Sequence, residues 1–139
     1  MPITFNADEI FEMAEEIERL PAPDLIIDAI IGYGLTGAPS GPAADLIRWA
    51  DAQQTSILSL DVPSGLESGS GEVHDCSICA TATMTLALPK EGLRTPAAKA
   101  VTGELYLSDI SVPPDLYAGL QLGLDVGPVF ARQDIIRLS

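Results

Sequence analysis

The stretch that most constrains this chain is Asp24-Leu25-Ile26-Ile27-Asp28-Ala29-Ile30-Ile31. It is short, almost continuously apolar and rich in β-branched residues, which is how a strand covered on both faces of a parallel sheet reads. Ser56–Leu60 has the same character and ends at Asp61. Thr81–Leu88 is a third such strand, closed by Pro89, and Gly103–Asp109 alternates as a fourth. Between them the pattern changes period. Residues 42–53 place Ala44, Leu46, Ile47, Trp49 and Ala50 as the apolar surface of a helix, and residues 90–100 suit a short one. Strand, helix, strand with short connections means βαβ units with right-handed crossovers. The expected class is therefore α/β, three-layer, with a mostly parallel sheet and helices on both faces.

The flanks complete a single domain over residues 1–139. Met1–Phe5 suits a short edge strand, and residues 7–20 an amphipathic surface helix with Ile10, Ala14, Ile17 and Leu20 at helical spacing. Asn6 and Glu9 form its capping box, and Pro21 and Pro23 stop it. Residues 66–79 are a polar Gly/Ser-rich excursion, residues 110–127 a loop with a helical turn, and Ile135–Leu138 a last edge strand.

Composition closes off several function classes. Hydrophobic residues make up 47% of the chain and aromatics only 5%, so the core is aliphatic. The net charge of −13 repels phosphate backbones and anionic bilayers, so neither nucleic acid nor membrane is an expected partner. An anionic ligand fits only where backbone N–H groups or a cation offset that field locally. No apolar run reaches the roughly 18 residues of a membrane span, and no secretory signal is read at the N-terminus, which makes the cytoplasm the expected location. Cys76 and Cys79, preceded by His74, form one C-x-x-C cluster, whereas a zinc site usually draws four ligands from two. They are expected to be structural.

Chemistry is expected beyond the carboxyl ends of the strands, where open parallel sheets bind ligands. The first strand carries Asp28 near its end and runs into Gly32-Tyr33-Gly34-Leu35-Thr36-Gly37-Ala38. Closely spaced glycines let backbone N–H groups approach a ligand. The second strand ends at Asp61 and turns through Val62-Pro63-Ser64-Gly65. If the strands are neighbours, about 4.8 Å apart, Asp28 and Asp61 face one crevice. Two such carboxylates require a shared proton or a cation. Hard oxygen ligands favour an alkali or alkaline-earth ion, with the Ser64 hydroxyl able to join.

At these residues the chain resembles the YjeF N-terminal domain family, which contains the NAD(P)H-hydrate epimerases. The resemblance rests on Asp24–Leu35, Leu60-Asp61-Val62-Pro63-Ser64-Gly65-Leu66, Thr83–Leu93, and Gly103-Glu104-Leu105 with Asp109-Ile110, covering roughly residues 24–115. It implies a Rossmann-like fold and an isomerase that interconverts the R and S forms of hydrated NADH and NADPH. By the resemblance Asp28 and Ser64 are potassium ligands. Gly32, Tyr33, Gly34, Leu35, Thr36, Gly37 and Ala38 line the site of the hydrated dinucleotide, and Asp61 contacts it. Proton transfer falls to Asp61 or Asp28. Family members also carry an upstream Asn-Asn-Gly-Gly-Asp-Gly half that contacts phosphate, and no such motif occurs in this sequence. The lack of several strands is expected to leave a sheet edge or face exposed. Three readings follow: half of a split enzyme completed by a partner chain, a homo-oligomer that covers its own surface, or a non-catalytic binding or interaction module.

Overall fold

A computed structural model of the chain describes residues 16–17, 21–119 and 122–139. The expected strand Met1–Phe5 and most of the helix over 7–20 lie outside these residues, and Glu16 and Ile17 are helical. The described elements begin with strand β1 (Leu25–Asp28), helix α1 (Gly41–Asp51) and strand β2 (Ser56–Leu60). Strand β3 (Ala82–Leu86), a 3-10 turn (Glu91–Arg94) and helix α2 (Pro96–Thr102) follow. Strand β4 (Glu104–Ser108), helix α3 (Pro114–Ala118) and strand β5 (Ile135–Arg137) complete the order.

The sheet runs β1-β2-β3-β4-β5, parallel throughout except that β5 pairs antiparallel with β4. The α/β, mostly parallel reading therefore holds. The apolar run 24–31 leaves the ladder after Asp28, whose register partner is Ser59. The helix expected over 90–100 divides at Pro96. Proline has no N–H to give and keeps the residue before it out of the helical region. Thr95 accordingly sits extended at φ −70°, ψ 150°, and its hydroxyl accepts the Ala98 N–H at 3.1 Å, capping α2.

Register partners share a face, which sorts the sheet into two sides. Ile26, Asp28, Ile57, Ser59, Thr83, Thr85, Leu105 and Leu107 fall on one side, and all but the half-buried Ile26 are buried. Helix α1 covers it with Ala44, Ile47 and Ala50, and α2 with Ala98 and Thr102. The core forms two clusters. Ile47, Ala50 and Ile57 pack with Ile78 and Ala80, and Val62, Leu66 and Leu93 pack with Ala98 and Leu105. The polar excursion after β2 thus supplies core residues at both ends. The opposite side carries Leu25, Ile27, Leu58, Leu60, Met84 and Tyr106. Leu25 and Ile27 there are 52% and 59% exposed. Among the described residues no helix buries this side and no strand pairs with the outer edge of β1.

Candidate functional site

Because β1, β2 and β3 are parallel neighbours, their carboxyl ends bring Asp28, Asp61 and the Leu86–Lys90 turn to one end of the sheet. This is where the doubly wound architecture places its ligands.

Asp28 is 2% exposed and points into the covered side. Its Oδ2 accepts the Ser59 hydroxyl at 2.7 Å and the Ser64 N–H at 2.9 Å. Its Oδ1 accepts the Ser64 hydroxyl at 2.6 Å and the Ile30 N–H at 3.3 Å. The Ser64 Oγ in turn accepts the Ile31 N–H at 2.8 Å. A buried carboxylate requires such donors to offset the loss of water. Their effect is to tie the end of β1 to the turn after β2. Gly65 makes that turn passable: it has φ +96°, and a Cβ there would lie 2.3 Å from the Cys76 carbonyl oxygen.

An ionised carboxylate offers about four acceptor positions, and all four on Asp28 are filled. The Ser64 hydroxyl both donates and accepts within the cluster. A potassium ion held by Asp28 and Ser64 would compete with the hydrogen bond between them, and the Ser64 hydroxyl also lies 3.2 Å from the Ile31 carbonyl oxygen as a second acceptor. Among the described residues no group of three or more His, Cys, Asp or Glu side chains is placed to hold a metal ion.

Asp61 is separate in its contacts. It takes φ +71° at the end of β2, a conformation that aspartate tolerates better than most residues, and its N–H donates to the Met84 carbonyl at 2.8 Å. Its Oδ1 pairs with the Lys90 ammonium, which also donates to the Leu86 carbonyl at 2.8 Å. The pair is largely shielded, with 16% of the Asp61 side chain and 19% of the Lys90 side chain exposed. The other oxygen, Oδ2, borders the glycine loop: a Cβ on Gly32 would lie 3.6 Å from it. The two aspartates thus have different protein neighbours, hydroxyl and amide donors at Asp28 and an ammonium at Asp61.

The loop Gly32–Ala38 rises from this point and is open. Tyr33 is 82% exposed, Leu35 half-buried, and Thr36 and Ala38 exposed. Nothing lies within 4 Å of where a Cβ would sit on Gly34 or Gly37. The loop thus has free space above it and a carboxylate–ammonium pair at its base.

Lys90 and Ser59 are the residues that reading the sequence did not assign. Lys90 had a signal, since it follows Leu88-Pro89 at the third strand end, the topological equivalent of Asp28 and Asp61. Ser59 had only its inward parity with Asp28, which becomes visible once the register is known. Cys76 and Cys79 remain unpaired thiols with separate contacts, Sγ of Cys76 to the Ala44 carbonyl at 3.5 Å and that of Cys79 to the Ala100 carbonyl at 3.9 Å. Cys76 is half-buried, as expected of a structural residue, whereas Cys79 is exposed.

Known proteins place the chain. Residues 2–92 match the family model described as YjeF-related protein N-terminus. The NAD(P)H-hydrate epimerase of Dehalogenimonas lykanthroporepellens is 48% identical over 100 residues, which is 70% of this chain and 39% of that protein. The bifunctional NAD(P)H-hydrate repair enzyme Nnr of Moorella thermoacetica is 40% identical over 95 residues, 68% of this chain and 18% of that one. The chain thus spans well under half the length of the relatives it matches. The crystal structure of the yeast protein ynu0 (YNL200c) superposes with a TM-score of 0.61 at 22% identity, covering 83% of this chain and 46% of that one, which establishes the shared fold. By the span of the family match and the shared architecture of the sheet, this chain belongs to the YjeF-related N-terminal family.

Proposed function

We propose that this chain carries the Asp61 side of an NAD(P)H-hydrate epimerase site and interconverts the R and S forms of hydrated NADH and NADPH once the rest of the crevice is supplied. The observation that carries this reading is the shielded Asp61–Lys90 pair at the root of an open glycine loop, in a chain 48% identical to a protein named for that activity. Epimerisation at a hydroxyl-bearing carbon needs a group that gives a proton to the departing hydroxyl and takes one from the returning water. The Asp61–Lys90 pair is assigned that role, the Lys90 ammonium carrying the proton to be given and the Asp61 carboxylate the site that takes one back, with each holding the other's geometry. Asp28 is assigned to positioning instead, because its acceptor positions are all used and it is sealed from solvent. The backbone of Gly32–Ala38 contacts the dinucleotide.

The phosphate-contacting half is supplied by polypeptide other than these 139 residues. The uncovered sheet side with Leu25 and Ile27 supports this. The experiment is chiral-resolving chromatography of hydrated NADH with the chain alone and with the upstream half added in trans. Interconversion above the spontaneous rate is expected with both present. In Asp61→Asn it is expected to fall by about a hundredfold or more, the scale of a lost general acid–base group. Undiminished activity in Asp61→Asn would overturn the assignment. A folded pair with no activity would favour the binding-module reading.

A further inference from the structure

The chain has seven lysines and arginines against 20 acidic residues, and three of the seven, Lys90, Arg94 and Lys99, line one cavity of about 820 Å³. The segment 90–99 holds these three cations and one acid, Glu91, so its local charge is +3 − 1 = +2 in a chain of net −13. Leu93, Leu105 and Leu138 give the cavity an apolar wall. Arg48 and Arg137 each pair with a carboxylate at 3.0 Å. Arg94 and Lys99 have no ion-pair partner among the described residues. Both are exposed, on the 3-10 turn and on α2 respectively. Lys90 borders the cavity with its stem and turns its ammonium toward Asp61. The cavity otherwise shares no residue with the Gly32–Asp61 crevice.

The chemistry selects a ligand class. The overall field of the molecule disfavours anions, so a cavity lined by two uncommitted cations and one carboxylate, Glu91, is a local reversal. A guanidinium fork and an ammonium lining one cavity match a phosphate dianion better than a single carboxylate charge. The volume lies within the range of small-molecule sites, and the leucine wall suits a short hydrocarbon. We propose that this cavity binds a phosphate monoester with a short apolar chain. Its head group is held by Arg94 and Lys99, and its chain lies against Leu93, Leu105 and Leu138. The proposal is independent of the epimerase reading.

The test is a titration of the folded, isotopically labelled chain with octyl phosphate, followed by backbone amide NMR. Inorganic phosphate and octanoate serve as parallel arms. Saturable shifts are expected at Leu93, Arg94, Lys99 and Leu138, with an affinity at least tenfold above that for either comparison compound. The double variant Arg94→Gln/Lys99→Gln, with its spectrum still dispersed, is expected to lose tenfold or more in affinity. Arg48→Gln/Arg132→Gln has the same net charge, lies outside the cavity lining and is expected to keep it. Absence of saturable shifts, equal loss in both double variants, shifts confined to Tyr33–Ala38, or octanoate binding as tightly as octyl phosphate would each overturn the proposal. Because turnover is not measured, failure here leaves the Asp61 assignment untouched, and failure there leaves this one untouched.

Discussion

Asp28 shows how much a single buried carboxylate can organise. With four donors from Ser59, Ser64 and Ile30, it clamps two loops that are 36 residues apart at its contact with Ser64. Replacing the carboxylate with an amide turns one acceptor oxygen into an NH2 group facing the Ser59 hydroxyl and the Ser64 N–H or their counterparts. Asp28→Asn is therefore expected to lower stability by about 2–4 kcal/mol, as for other broken buried charge networks. The urea midpoint measures it. Ser64→Ala removes one donor to Asp28 and the acceptor of the Ile31 N–H, and about 1–3 kcal/mol is the expected loss. The same cluster gives a test for potassium. Melting in potassium chloride and in choline chloride at equal ionic strength is expected to coincide. A potassium-specific rise in Tm that Ser64→Ala abolishes would place the ion at these atoms after all.

At the scale of elements, the turn after β2 is the most demanding piece of backbone. It leaves Leu60 through the left-handed Asp61, passes the buried Val62, Pro63 and Ser64, and reverses at Gly65 against the Cys76–Ser77 backbone. The contact is with backbone, so no side-chain rotation relieves an added methyl. Gly65→Ala combines that overlap with an unfavourable φ, each of which costs on the order of 1–3 kcal/mol. The expected result is a chain with little folded population near body temperature, read by circular dichroism and urea titration. The adjoining Asp28 clamp and the position of Asp61 depend on this turn. For that reason a milder change there is expected to reduce activity and stability together.

For the whole molecule, the contrast between the two sides of the sheet dominates. Among the described residues one side is sealed by α1, α2 and the segment between β2 and β3, and the other presents Leu25, Ile27 and their half-buried neighbours. Contiguous apolar surface of this kind marks an interaction site. The chain alone is expected to bind a fluorescent hydrophobic dye. Ile27→Lys is expected to reduce the signal several-fold without lowering stability by more than about 0.5 kcal/mol, since the side chain is 59% exposed. An unchanged signal would show that the dye sits elsewhere.

The division between sequence and tertiary structure follows from the range of the forces involved. Periodicity and turn residues are local, so β1 to β4, the parallel sheet and the two strand-end loops were legible from runs such as Asp24–Ile31 and Ser56–Leu60. So was the meeting of Asp61 with the glycine loop, because neighbouring parallel strands leave their carboxyl ends side by side. What each carboxylate touches was not legible. Ser59, Ser64 and Lys90 reach their partners over 29 to 36 residues of chain, and only the register and the Gly65 turn fix those contacts. The division of an expected helix at Pro96 was written in the sequence, but its consequence, a cavity edged by Arg94 and Lys99, arises only where that segment packs against β4 and β5.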